Sequence, residues 1–117
     1  MSFRMQRLQH QFMQEISYVI LREIKDPRVQ NAFITIVDIK ISPDLSEAKV
    51  FVSVMQEEPL KVVEGLNHSA GFIRSVLGKK MHLKRIPHME FFIDATMDKG
   101  DRISRLLKNM DDKRMHG

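Results

Sequence analysis

The sequence predicts an α+β two-layer sandwich, a small sheet covered by helices on one face. Three observations predict it. An apolar stripe at helical spacing runs through residues 4–25. Two segments, 33–42 and 47–55, alternate apolar and polar side chains around a proline-bearing turn. A third such segment at 89–94 follows two further helical stretches.

In the first helix Met5, Leu8, Phe12, Ile16, Val19 and Ile20 fall within an arc of about 120° at ~100° per residue. Arg4, Arg7, Gln11, Gln14 and Tyr18 take the other side. Asp26-Pro27 is expected to stop the helix, because proline disfavours helical backbone in the residue before it. In the strand pair, Val37, Ile39 and Ile41 alternate with Asp38, Lys40 and Ser42, and Ala48, Val50, Val52 and Val54 alternate with Lys49 and Ser53. Ser42-Pro43-Asp44-Leu45-Ser46 between them has the chemistry of a hairpin turn, so the strands are expected to be antiparallel. Phe51 and Met55 fall on the more polar face.

Residues 59–68 read as a short helix carrying Leu60, Val63 and Leu66. Residues 70–82 read as another, carrying Ile73, Val76, Leu77 and Met81. Ser69 is placed to cap the second helix, and Gly71 in its first turn would let another backbone come close. Met89, Phe91 and Ile93 form the inner face of the third strand. From about Asp98, Ile103, Leu106, Leu107 and Met110 predict a final helix. Residues 1–110 are expected to form one domain and 111–117 a flexible tail.

Composition narrows the function. The 117 residues are 43% hydrophobic and 29% charged, enough for one core, and include no cysteine for a disulfide, a thiol nucleophile or a thiolate metal site. The longest strictly apolar run is Tyr18–Leu21, so neither a membrane span of about 20 residues nor a secretory signal core of ~7–15 is expected. His10, His68, His82, His88 and His116 contain no i, i+4 pair, and Gly78-Lys79 lacks the rest of a phosphate-binding loop. No nucleophile elbow is present. Catalysis, a metal, a cofactor and a small-molecule substrate are therefore not expected.

Charge placement is more informative than the net +4. Residues 1–58 carry 7 basic and 8 acidic side chains, whereas residues 59–117 carry 12 and 7. Arg74, Lys79, Lys80, Lys84 and Arg85 lie within residues 70–86, a stretch with no acid. Such a field suits a polyanion, unless acids of the first half neutralise it in space. Lys79 and Lys80 fall opposite Ile73 and Leu77 on their helix, and Arg74 sits one turn after Gly71, where backbone N–H groups and a guanidinium can share a phosphate. If about four of these side chains met phosphates, log affinity would fall with log salt at a slope of about −3 to −4. Arg102, Arg105 and Lys108 form a second stripe, which also complements the dipole of the last helix. Arg28 can touch RNA or pair with Glu23 or Asp26. Phe51, Phe91 and Phe92 are candidate stacking platforms, with Phe91 better suited to the core.

Several stretches in this order resemble one family. They are Asp26-Pro27-Arg28-Val29, Ile36-Val37-Asp38-Ile39 with Ser42-Pro43-Asp44-Leu45-Ser46, Ala48-Lys49-Val50, Ala70-Gly71-Phe72-Ile73-Arg74, Pro87, and Gly100-Asp101-Arg102-Ile103 with Leu106-Leu107. The chain resembles the bacterial ribosome-binding factor A family. That resemblance implies a type II KH-like domain of α-β-β-α-α-β order, with helices packed on one face of a three-stranded sheet, plus a C-terminal helix. It implies a non-enzymatic, cytoplasmic assembly factor that binds the free small ribosomal subunit and its rRNA. Late maturation, processing of the precursor 5′ end and cold adaptation belong to that role. In place of the G-x-x-G clamp of RNA-binding KH domains, the family has an Ala-x-Gly kink, aligned here with Ser69, Ala70 and Gly71. The expected RNA-binding residues are therefore Ser69, Ala70, Gly71, Arg74, Lys79, Lys80, Lys84, Arg85, Arg102 and Arg105. A monomer is expected. Alternatives are a general nucleic-acid chaperone without subunit specificity and a protein-interaction module.

Overall fold

The computed structural model describes residues 3–55 and 58–94. The expected C-terminal helix, the 111–117 tail and the domain boundary at 110 lie outside the described residues.

Helix α1 spans Phe3–Arg22, a single turn α2 spans Pro27–Gln30, and strands β1 and β2 span Ile34–Ile41 and Glu47–Val54. Helices α3, Pro59–His68, and α4, Ala70–Lys80, then lead to β3, His88–Ile93. The sheet order is β1-β2-β3, with β2 antiparallel to β1 and parallel to β3. The two helices supply the crossover that a parallel pair requires. The α+β class, the three-stranded sheet and the helix–strand order match the sequence reading, with α2 added.

Asp26-Pro27 begins an element and does not end one. Helix α1 stops at Arg22, four residues short of Asp26. Asp26 then adopts the extended backbone required before proline and caps α2, its Oδ1 accepting the Arg28 backbone N–H at 2.9 Å. Pro27 occupies the first helical position, where its missing N–H costs nothing. The Arg28 guanidinium doubles back onto the same carboxylate at 2.7 Å, so Arg28 pairs with Asp26 and not with Glu23. This ion pair holds the Asp26 carboxyl down at about 2.

One core joins the layers. Phe12, Ile16 and Val19 of α1, Ile39 of β1, Val50 and Val52 of β2, Leu66 of α3, Ile73 and Leu77 of α4 and Phe91 of β3 are buried. Each such side chain contributes about 1.5–3 kcal/mol by leaving water. Both outer strands are also held by a helix side chain. Gln9 Oε1 accepts the Ile41 N–H at 3.2 Å, and Asn67 bonds both backbone groups of Phe91.

Two inward faces differ from the sequence reading. Val37 does not share a face with Ile39 and Ile41. The register shifts between Ile36, opposite Val52, and Asp38, opposite Phe51, so Val37 is the extra residue of a bulge. Val37 is exposed, and Ile34 and Ile36 pack against the core before the bulge. In α3 the inward residues are Val62, Gly65 and Leu66, and Leu60 is exposed. The helix is rotated because Gly65 must meet α2: a Cβ there would lie 2.9 Å from Val29 Cγ2 and 3.1 Å from Arg28 Cβ. Gly65, and not Gly71, is therefore the glycine that a close approach requires.

The turn after β1 closes on Asp44. Its Oδ1 accepts the hydroxyls of Ser46 at 2.7 Å and Ser42 at 2.8 Å and the Ser46 N–H at 3.1 Å. These bonds, Ser46 first, lower the Asp44 carboxyl to about 2. Leu45 has φ 61°, a left-handed conformation that a leucine adopts only when its neighbours hold it there.

Candidate nucleic-acid interface

Helices α3 and α4 meet at Ser69 without a loop. The Ser69 N–H bonds the carbonyls of Gly65 at 3.0 Å and Leu66 at 3.1 Å, and its own carbonyl accepts the Ile73 N–H at 2.9 Å. The kink is a break in one helical run. The expected cap is not made: the Ser69 side chain has no capping hydrogen bond and the residue is buried. Gly71 is exposed, and a Cβ placed on it would meet nothing within 4 Å. Its outer side is open to an approaching ligand.

The five cations of residues 70–86 do not form one cluster. Arg74 is half-buried, and its Nε donates to the Ile86 carbonyl at 2.9 Å. It ties α4 to the segment entering β3, a structural task the sequence did not reveal. Arg85 turns toward the hairpin, its Nη1 3.5 Å from the Asp44 carbonyl oxygen. Lys84 is exposed between them in sequence. Lys79 and Lys80 lie on the far end of α4 and point to α1. Lys80 Nζ stands 4.3 Å from the centre of the Tyr18 ring, and the Arg22 guanidinium 5.7 Å from it. Such contacts hold a cation in place without removing its charge.

An open groove of about 610 Å³ lies between the end of α1 and α4. Arg22, Lys25, Lys79 and Lys80 line it, with Glu23 as its acid, Ile24 and Val76 as apolar contacts, Gln30, and the half-exposed ring of Phe72. Ion pairs among the described residues engage Arg28 with Asp26 and Glu64 and Lys61 with Glu58, and leave these four cations without a carboxylate partner. Among the described residues, acids of the first half thus pair with Arg28 and Lys61 and not with Lys79 or Lys80.

Arg22 and Lys25 were not among the residues singled out from sequence. The available signal was the basic last turn of a helix, Arg22, facing the same solvent as a later basic turn. Only the packing of α1 against α4 joins them. Arg102 and Arg105 lie outside the described residues. Of the aromatic candidates, Phe91 is buried in the core, whereas Phe51 and Phe92 stack at 5.7 Å on the sheet face away from the helices, with Lys40 Nζ 5.7 Å from the Phe51 ring.

The sequence profile of ribosome-binding factor A matches residues 4–107. The chain belongs to the ribosome-binding factor A family. The ribosome-binding factor A of Thermodesulfovibrio yellowstonii is 43% identical over 108 residues, covering 92% of this chain and 90% of that one. The crystal structure of ribosome-binding factor A from Thermus thermophilus has a TM-score of 0.68 at 22% identity, covering 79% of this chain and 97% of that one. A homology model of the Thermus thermophilus factor, fitted into the cryo-electron-microscopy map of a 30S–RbfA complex, has a TM-score of 0.60 at 20% identity, covering 78% of this chain and 97% of that one. At these identities the two structures bear on the fold, which they share with this chain. The kink expected from the resemblance falls at Ser69, between α3 and α4.

Proposed function

We propose that this chain is a ribosome assembly factor that binds the free small ribosomal subunit through its rRNA. It acts without catalysing a reaction, as a cytoplasmic monomer, and assists late maturation, including processing of the precursor rRNA 5′ end. The observation that carries the RNA-binding part is the convergence of Arg22, Lys25, Lys79 and Lys80 on one groove with no carboxylate among the described residues bonded to them. A phosphate chain supplies anions for such cations. The open outer side of Gly71 adds a place where an RNA backbone can come close to α4. Family membership supports the subunit as the source of that RNA, because it is in a 30S complex that the related Thermus thermophilus factor was fitted.

Phosphate contacts position a protein but carry little sequence information. Most of the recognition therefore comes from the shape of the folded subunit. Co-sedimentation with free small subunits, large subunits and complete ribosomes tests the reading. The expected result is binding to free small subunits. Binding to all three, or equally to tRNA, would instead mark a general nucleic-acid chaperone, and binding to none would overturn the proposal.

A further inference from the structure

The groove between α1 and α4 is more than a basic strip. One side is cationic, through Arg22, Lys25, Lys79 and Lys80. Phe72 lines the same groove and is 49% exposed although it belongs to a helix that packs on the core. Glu23 also lines it, and its Oε2 is buried with no hydrogen-bond partner. A carboxylate oxygen removed from water and left unpaired is costly, and any occupant that supplies N–H donors is favoured there. The groove's volume of about 610 Å³ lies within the ~300–1,000 Å³ range of small-ligand sites.

These features ask for an occupant that is anionic at one part, planar at another, and rich in donors at the edge of that plane. An acidic peptide meets the cations but sets a second carboxylate against Glu23. A nucleotide meets all three demands. Among the bases, guanine presents two adjacent donors, N1–H and the N2 amine, which match the two oxygens of one carboxylate. Adenine and cytosine offer an amine alone, and uracil a single imino N–H. Unstacked bases of single-stranded RNA are read in this way, by stacking on aromatic rings and by hydrogen bonds to their Watson–Crick edges.

We infer that the α1–α4 groove holds one unpaired guanine nucleotide, its base stacked on Phe72 and bonded by Glu23, its phosphates on Arg22, Lys79 and Lys80. The inference rests on the RNA-binding reading above and adds a base preference to a surface otherwise expected to sense shape and charge alone. No covalent step is involved.

The test is fluorescence anisotropy of the full chain with labelled single-stranded hexanucleotides in which the two central bases are guanine, inosine, adenine or uracil, run beside small-subunit pelleting. Inosine differs from guanine only in lacking the N2 amine. The expected result is that the guanine oligomer binds about tenfold more tightly than the inosine one. Glu23→Gln, whose amide offers one acceptor and one donor, should erase that preference. Phe72→Leu should weaken every oligomer by about tenfold. Urea midpoints of both variants check that they fold. Equal binding of the four oligomers, or a guanine preference indifferent to Glu23→Gln, would overturn the inference, as would displacement of the oligomer by poly-glutamate at equal charge concentration. Retained subunit pelleting beside either of the first two results would leave the ribosomal reading standing. A Glu23-dependent guanine preference without subunit pelleting would do the reverse.

Discussion

Asn67 satisfies both backbone polar groups of Phe91: its Oδ1 accepts the Phe91 N–H at 2.8 Å and its Nδ2 donates to the Phe91 carbonyl at 3.1 Å. An amide on α3 thereby stands in for the neighbouring strand that β3 lacks on that side among the described residues, and blunts an edge that would otherwise pair with other chains. Asn67→Ala should cost about 1–3 kcal/mol in urea unfolding, because two backbone groups lose their partner. Asn67→Asp keeps the acceptor but sets a charged oxygen against the Phe91 carbonyl, so it should fall at the upper end of that range. A change within about 0.5 kcal/mol, as for an ordinary surface position, would contradict this role.

The two glycines of the α3–α4 region should respond oppositely to alanine. At Gly65 the new methyl meets Val29 Cγ2 at 2.9 Å and Arg28 Cβ at 3.1 Å, so α2 must shift. Gly65→Ala should destabilise by about 1–3 kcal/mol. At Gly71 nothing lies within 4 Å of the added Cβ. Gly71→Ala should leave the fold intact or stabilise it by roughly 0.5–1 kcal/mol, the usual gain for alanine within a helix. If RNA approaches the open side of Gly71, the same variant should bind subunits more weakly. Parallel urea titrations and pelleting of the two variants check both halves.

Asp44 gives the hairpin an acid-sensitive turn. Its carboxyl is lowered from 3.8 to about 2 by the hydroxyls of Ser46 and Ser42 and the Ser46 N–H. A group whose folded pKa lies below its unfolded one stabilises the fold fully above the unfolded value, and that contribution fades as pH falls toward the folded value. The window is therefore from about pH 4 down to about pH 2. Asp26 titrates in the same window, through Arg28, so wild type alone does not isolate the turn. The difference in urea midpoint between wild type and Asp44→Ala does. It should be constant from pH 7 to about pH 5 and shrink between about pH 4 and pH 2. A difference that persists unchanged at about pH 2 would show that the carboxylate charge plays no part.

Much of this fold is legible in the sequence, because single-element periodicity is strong in α1 and in the two hairpin strands. Val50, Val52 and Val54 point inward as their alternation predicts. The failures arise where one element answers to another. A bulge at Val37 reverses the phase of β1, and no local signal distinguishes Val37 from Ile39. The inward face of α3 is set by contact with Val29, which follows a different proline turn 36 residues earlier than Gly65. The candidate site divides in the same way. The basic run around Lys79 and Lys80 is visible in one dimension. Its completion by Arg22 and Lys25, and the diversion of Arg74 to the Ile86 carbonyl, follow from helix packing.

The central claim is that the cations of the α1–α4 groove meet rRNA phosphates. It is tested most directly by the salt dependence of equilibrium binding to free small subunits, measured for wild type, Lys79→Gln/Lys80→Gln and Arg74→Gln. Each phosphate contact removed should flatten the log–log slope by about 0.7–0.9. The double lysine variant should therefore bind with a slope shallower by about 1.5, whereas Arg74→Gln should be less stable yet keep the wild-type slope. A double lysine variant with an unchanged slope would contradict the account.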